Sequence, residues 1–354
     1  MEWRPSRLFI DSTIAGDPLA LRISRNLPAS EKILIDDAET LVMEDDPGPS
    51  ALVLLRHDGA FVRDFVIPEG APPCGEKYIT AFVGCPFGCT YCYLPPRLPR
   101  RAAAVMIGTE RMRSEVEAAA RSGSFRLTTG ETADSLVLDR VTGLTSDLLP
   151  LFEGTASVLE VRTKTALIDH LPGISGGDGP HALAAREHLE ITWSLAPAHA
   201  AGAEERGAPP VGERLAALSR AAAAGLATGI RLDPIIPFYW DPGKYRALIE
   251  EIRDAAGDAR PPRVELGVLR FPAGLIDHIR RTHPFSPLLR GEYVRCPDGK
   301  TRLYRPARVR IYRDVAEMVR RYLPGAPVEL SMEDISVWED AGVEPPAAGP
   351  AGAR

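Results

Sequence analysis

Residues 83–97 read VGCPFGCTYCYLPPR and hold three of the chain's five cysteines, Cys85, Cys89 and Cys92. Their spacing is C-x3-C-x2-C. Gly84, Pro86 and Gly88 permit the tight turns needed for three sulfurs to converge on one centre. In a reducing compartment clustered cysteines are metal ligands or redox groups more often than disulfides, and the odd total of five agrees with that. A structural zinc site takes four protein ligands, commonly in two pairs. No C-x2-C or H-x3-H partner follows downstream, and Cys74 and Cys296 stand alone. Three thiolates without a fourth suit a [4Fe–4S] cluster with one iron left open, whereas ferredoxin clusters use four. A degenerate zinc knuckle and a set of unrelated buried thiols are the competing readings at this point.

The 354-residue chain is 45% hydrophobic and 25% charged, ordinary for a soluble globular protein and long enough for one large α/β domain or two smaller ones. A net charge of −6 does not suggest a general nucleic-acid coat but leaves room for a local basic groove. The N-terminal MEWRPSRLFIDSTIAGD has no uncharged apolar core of signal-peptide length, and no run of about 18 apolar residues occurs, so the expectation is a cytosolic chain. The Pro/Gly/Ala-rich end from about Glu344 is expected to be disordered. On the same composition grounds 172–181 and 199–212 are expected to be loops.

Outward from the cysteines the pattern alternates. Strand-like runs occupy 78–84, 125–130, 157–164, 189–195, 228–236 and 263–271. Helix-like stretches occupy 109–123, 139–153, 212–225 and 241–257, with Leu215, Leu218 and Ala222 on one face of the third. Six β runs spaced by helices argue for βα units around a parallel sheet, too few for an eight-stranded barrel and suited to a partial barrel or an open sheet. In βα barrels the working residues sit at the C-terminal strand ends. Here those ends carry Cys85, Glu131 with Asp134, Lys164, Ser194, Asp233 and Arg270. Any one of them could be an ordinary polar loop residue; six together, with a cysteine cluster at the first, point to one shared site.

C-x3-C-x2-C at the end of a first strand, with Tyr91 before the last cysteine, resembles the signature of the radical SAM superfamily. That resemblance implies a partial (β/α)6 barrel. It also implies a cluster whose open iron chelates S-adenosylmethionine and whose reductive cleavage of SAM yields a 5′-deoxyadenosyl radical that abstracts hydrogen. The ordered set CTYCYL, GETADSLVLDRVTGLT, VRTKTALIDHL, ITWSLAP, GIRLDPIIPFY and DGKTRLYRPARVRIY, from about residue 75 to about 338, is similar to the spore photoproduct lyase family. The resemblance assigns the cluster to Cys85, Cys89 and Cys92, and SAM contacts to Lys164, a point charge on a long stem, and to Ser194. It links Tyr91 and Tyr93 to SAM placement and radical propagation, although Tyr93 reads equally well as a packed aromatic with a partnered hydroxyl. The family's hydrogen-donating cysteine falls on Glu131. A carboxylic O–H bond is too strong for that task, so Glu131, beside Asp134, is assigned instead to the SAM ribose hydroxyls. Cys296 is a thiol that a different loop could bring to the reaction, and a lone cysteine is more readily an inert small hydrophobe.

Residues 290–321 hold ten Lys/Arg against four acids, with three tyrosines interleaved. CPDGKTRLY reads as a hairpin turning at Asp298-Gly299. By the family resemblance a hairpin here meets DNA at the lesion, with Arg295, Lys300, Arg302, Tyr304 and Arg305 as the contact set; Arg320 and Arg321 belong to an amphipathic helix over 308–323. The expected layout is an N-terminal α/β extension (1–74), a radical SAM partial barrel (75–275), a C-terminal hairpin and helix region for substrate (276–340) and a tail (341–354). The whole reads as a monomer served by a flavodoxin- or ferredoxin-type electron donor, acting on a pyrimidine photoproduct in DNA. The alternatives are the same chemistry on a peptide, RNA or small metabolite, and a non-catalytic Fe–S protein that binds nucleic acid.

Overall fold

The computed structural model describes residues 3–36, 48–98, 102–174 and 179–346. The chain forms two units, one from Met1–Phe65, Glu76–Gly88 and Leu94–Glu190, the other from Val66–Gly75, Cys89–Tyr93 and Ile191–Arg354. Most of the acidic linker at 43–50, part of the loop expected at 172–181 and the end of the tail lie outside the described residues.

The first unit contains strands β1 (Arg7–Asp11), β2 (Glu31–Ile35), β3 (Ala51–Arg56), β4 (Val62–Asp64), β5 (Glu76–Ile79), β6 (Phe82–Val83), β7 (Ala103–Ile107), β8 (Arg126–Thr128) and β9 (Val158–Thr163). Its helices are α1 (Pro18–Asn26), α2 (Thr109–Arg121), α3 (Asp139–Thr142), α4 (Leu144–Leu148) and α5 (Pro180–His188). A five-stranded sheet runs β2-β1-β3-β7-β6, parallel except for β6 against β7. The continuous apolar run ALVLLR of β3 is buried at every position but the last, as a strand covered on both faces requires. Phe9, Val53, Leu55 and Ala104 form the core on one face, with Ile33, Ile35 and Met106 against them.

The single strand expected at 78–84 is two strands in different sheets. The Thr80 N–H leaves for the Phe61 carbonyl at 2.8 Å, and the Ala81 carbonyl accepts from Met106 N–H at 2.9 Å. At that point the chain crosses from β5, which is parallel to β8, to β6, which is antiparallel to β7. The helix expected at 139–153 is also broken, by Gly143 at φ 66°, a left-handed conformation that glycine adopts without a Cβ penalty. Its last turn is a 3₁₀ helix, Leu149–Phe152.

Strand β10 (Leu189–Ser194) spans the division between the units. The second unit adds β11 (Ala227–Ile235), β12 (Arg263–Val268), β13 (Arg270–Phe271), β14 (Tyr293–Arg295), β15 (Thr301–Leu303) and β16 (Val328–Leu330). Its helices are α6 (Ala198–Glu204), α7 (Val211–Ala223), α8 (Pro242–Ala256), α9 (Leu275–Thr282), α10 (Arg305–Tyr322) and α11 (Ile335–Ala341). The eight-stranded sheet has the order β16-β12-β11-β10-β9-β8-β5-β4. The six strands anticipated from the sequence are therefore consecutive in it, with β16 and the antiparallel β4 added at the edges. This is the α/β partial-barrel class expected of the chain.

One expected loop is partly helical, and the other ends where a helix begins. Segment 172–181 gives way to α5 at Pro180, and 199–212 contains most of α6. Both helices are alanine-rich, and Ala182, Ala185, Ala200 and Ala201 are buried. Alanine is the strongest helix former, and a composition rule for loops overlooks it. The run expected at 263–271 also divides, because Arg270–Phe271 pairs antiparallel with β15. Among the described residues no helix is long and apolar enough to cross a membrane.

Candidate active site

In the first unit the loops after β6, β8 and β9 are tied together by backbone and by one carboxylate. Gly84 N–H donates to the Thr132 carbonyl at 2.8 Å, and the Thr132 hydroxyl donates to the Phe82 carbonyl. These bonds hold Cys85 and Glu131, each one residue away, on adjoining loops. Gly84 sits at φ 86°, and a Cβ there would meet the Ala102 carbonyl oxygen at 3.3 Å. A Cβ at Gly130 would lie 2.5 Å from that of Arg162, so only glycine fits this approach.

Asp134 is buried and fully engaged. One carboxylate oxygen accepts from Leu136 N–H and Val137 N–H, both at 3.0 Å, and from the Thr163 hydroxyl at 2.7 Å. The other accepts from Lys164 N–H at 2.6 Å. Burial pushes its pKa up, against the opposing pull of these hydrogen bonds. The carboxylate thus clasps the turn after β8 to the end of β9 and fixes the backbone that carries Lys164. Glu131 and Lys164 are themselves partly buried.

In the second unit the segment Cys89–Tyr93 is anchored by two buried acids that the sequence reading placed in a loop. Thr90 N–H donates to the Glu204 carbonyl at 2.9 Å, and its hydroxyl donates to the Glu204 carboxylate. The Tyr239 hydroxyl donates to the other Glu204 oxygen at 2.8 Å. The Tyr91 hydroxyl donates to Glu205, which pairs with Arg214 at 2.6 Å. Arg214, only 1% exposed, also donates to the carbonyls of Pro209 at 2.9 Å and Ser194 at 3.0 Å. One guanidinium therefore links the end of β10, where Ser194 sits, to the partner of Tyr91. Burial and the Glu205 carboxylate together push the Tyr91 phenol well above its ordinary pKa. Tyr93 packs with Tyr91 and Tyr239 against the apolar cluster of Ile236, Leu269 and Phe271.

Asp233 and Arg270, two of the anticipated strand-end groups, neutralise each other. Arg270 forks the Asp233 carboxylate at 3.0 and 3.1 Å, and Arg231 adds a bond at 2.9 Å. Burial alone would raise the Asp233 pKa; the two arginines outweigh it and hold the carboxyl well below the usual range. A Cβ at Gly267 would fall 2.4 Å from this carboxylate, so the pair needs glycine beside it.

The hairpin expected at 295–306 is present as β14 and β15, closing through Cys296 N–H to the Lys300 carbonyl at 2.8 Å with Gly299 at φ 78°. Arg302 is 5% exposed and forks Asp298 at 2.7 and 2.8 Å, and Lys300 Nζ reaches the same acid at 3.0 Å. These two cations latch the turn. Arg305 bonds Ser336 at 2.8 Å and Asp340 at 2.7 Å. Arg295 and Tyr304 are exposed. Cys296 sits before the turn with its thiol 3.8 Å from the Val294 carbonyl.

All five cysteines are thiols, and Cys85, Cys89 and Cys92 are each partly exposed. Cys92 N–H bonds the Cys89 carbonyl at 3.1 Å, a tight turn that sets these two thiols close in the chain. Among the described residues no three His, Cys, Asp or Glu stand in the arrangement of a single-ion site. A cubane cluster does not ask for one. In such a cluster each of the three thiolates would bind a different iron, so the thiols need not meet at one ion. The donor set of three accessible thiols on a glycine-flanked loop fits such a cluster.

No protein-family model matches the chain, and no curated protein matches its sequence. Solved structures do. Spore photoproduct lyase with a dinucleoside spore photoproduct has a TM-score of 0.78 at 18% identity, covering 94% of this chain and 100% of that one. A cysteine-to-alanine mutant of that enzyme has a TM-score of 0.80 with the same identity and coverage. A double mutant with bound AdoMet and dinucleoside spore photoproduct has a TM-score of 0.77, covering 93% of this chain and 99% of that one. Over almost its whole length, this chain has the fold of spore photoproduct lyase.

Proposed function

We propose that the protein is a radical SAM enzyme of the spore-photoproduct-lyase type, with a [4Fe–4S] cluster on Cys85, Cys89 and Cys92 and a damaged pyrimidine in nucleic acid as substrate. The observation that carries this reading is the loop of three partly exposed thiols, C-x3-C-x2-C, set in this fold. When bound, the cluster and SAM supply a carbon-centred radical able to remove hydrogen from a base. The chain's own residues hold the parts in place. Lys164 offers an ammonium for the SAM carboxylate, on a backbone fixed by Asp134. Ser194 offers a hydroxyl from a strand end whose carbonyl Arg214 holds. Tyr91 is fixed by Glu205 and Tyr93 by apolar packing, which keeps both aromatics beside the last cysteine. Glu131 serves the SAM ribose hydroxyls. The hairpin, with Arg295 and Tyr304 exposed, faces the nucleic acid.

Glu131 also favours a second reading. It stands where the family resemblance puts the hydrogen-donating thiol, so return of a hydrogen atom needs another donor, and Cys296 or a different substrate would supply it. The test is to reconstitute the cluster anaerobically, add SAM and dithionite, and measure 5′-deoxyadenosine with no DNA, intact DNA and UV-irradiated DNA. Stimulation by irradiated DNA alone supports lesion repair; turnover indifferent to DNA moves the same chemistry to another substrate.

A further inference from the structure

The sequence reading confined nucleic-acid contact to the hairpin. A second surface of the same unit has the required chemistry. The 3₁₀ turns Pro237–Tyr239 and Pro287–Leu289 pack against each other. On the first, Phe238 is 45% exposed, lies edge-on to Tyr239 at 5.1 Å and has the Arg290 guanidinium over its ring at 5.6 Å. Just before the second, Phe285 is 93% exposed on a turn closed by Ser286 N–H to the His283 carbonyl at 2.9 Å. An isolated exposed Phe is ordinary. Two such rings on rigid turns, one already stacked by an arginine, form platforms that water does not reward.

The charge is one-sided. From His278 to Arg295 the chain has four arginines and a single acid, Glu292. Arg280 is paired with Asp277. Arg206, Arg281 and Arg290 are exposed and have no ion-pair partner among the described residues. Arg206 belongs to this surface. It follows two residues after Glu204, whose carboxylate accepts from the Tyr239 hydroxyl at 2.8 Å, and Tyr239 is the ring packed edge-on to Phe238. Glu204 itself is buried and occupied by Thr90 and Tyr239. The surface therefore presents uncompensated cations around exposed rings. A polyanion whose units also carry flat π faces answers both features; an acidic peptide answers only the first.

We propose that this surface binds single-stranded nucleic acid, with Phe238 and Phe285 as stacking platforms and Arg206, Arg281 and Arg290 on the phosphates. Cations tracking a backbone while aromatics stack successive bases is the general solution for single strands. The inference extends the nucleic-acid reading given above and rests on it for biological sense, but it is tested separately. The probe is a fluorescein-labelled oligonucleotide of about twelve nucleotides, the span one such groove serves, read by anisotropy on the reconstituted full chain. Single-stranded DNA and RNA and the matching duplex are separate arms.

The expected result is tighter binding of single strands than of duplex, with Phe238→Ala and Phe285→Ala each weakening it about 10-fold. Arg206→Ala/Arg281→Ala/Arg290→Ala together should lower the slope of log affinity against log salt by about 2, at roughly 0.7 per lost phosphate contact. Because Phe285 is almost wholly exposed, its variant has no fold to disturb. Binding that survives these changes but is lost in Arg295→Glu overturns this inference and leaves the nucleic-acid reading intact. Wild-type protein that binds no oligonucleotide overturns both. Displacement of the oligonucleotide by polyglutamate at equal charge concentration assigns the surface to acidic peptides and also overturns the inference.

Discussion

Arg214→Met removes a cation that three neighbours depend on. The guanidinium is 1% exposed, pairs with Glu205 at 2.6 Å and satisfies the carbonyls of Pro209 and Ser194. Breaking a buried pair by deleting one partner costs about 3–5 kcal/mol, because the surviving charge remains buried. The two orphaned carbonyls would add about 1–3 kcal/mol each if no water reached them. Taking about 4 kcal/mol and about 2–4 °C per kcal/mol for a unit of this size, the melting temperature should fall by about 8–16 °C. Differential scanning calorimetry of wild type, Arg214→Met, Glu205→Gln and the double variant closes the cycle. If the uncompensated carboxylate is the cause, the double variant recovers much of the loss. Tyr91, whose hydroxyl bonds Glu205, should also become more solvent-accessible in Arg214→Met alone. A shift below 2 °C, or a double variant as unstable as the sum of the singles, would refute the reasoning.

Other outcomes follow from the same contacts. Asp233→Asn should destabilise by about 3 kcal/mol at neutral pH. Because the folded pKa is lowered, that stability is present above the unfolded value of about 3.9 and is lost as pH falls further; the gap between wild type and variant in urea melts should therefore close below about pH 4. Gly130→Ala should cost about 1–3 kcal/mol by overpacking, since its Cβ would sit 2.5 Å from that of Arg162, and chemical denaturation reads it directly. Glu131→Cys should raise the yield of restored thymine per 5′-deoxyadenosine on DNA carrying the spore lesion; an unchanged yield would argue against that lesion as substrate.

Much of the scaffold could be read because its signals are local. The six strands carry aliphatic and β-branched runs, and the hairpin is marked by Asp298-Gly299, where a left-handed residue is needed. The cysteine loop announces itself by spacing. What stayed hidden depends on partners far away in the chain. Glu204 and Glu205 lie in a Gly/Pro/Ala-rich stretch that reads as solvated loop, yet they meet Thr90 and Tyr91, 114 residues distant. Arg214 falls on the buried side of a helix whose visible apolar positions are Leu215 and Leu218, and an arginine there reads as surface until its acid is found. Arg302 stands in a basic stretch of sequence, and only the structure brings out its fork onto Asp298 four residues earlier. The alanine-rich start of 199–212 hides its helix for the opposite reason: small apolar residues give weak periodicity and strong helices.

The central claim is that Cys85, Cys89 and Cys92 hold a cluster that cleaves SAM. The most direct measurement is 5′-deoxyadenosine by mass spectrometry from anaerobically reconstituted protein with SAM and dithionite, alongside iron and sulfide content, for wild type and Cys89→Ala. The account predicts close to four irons and four sulfides per chain with deoxyadenosine formed by wild type, and loss of both in the variant. A fully loaded wild-type cluster that yields no deoxyadenosine would contradict it and leave the cluster a structural or redox-sensing one.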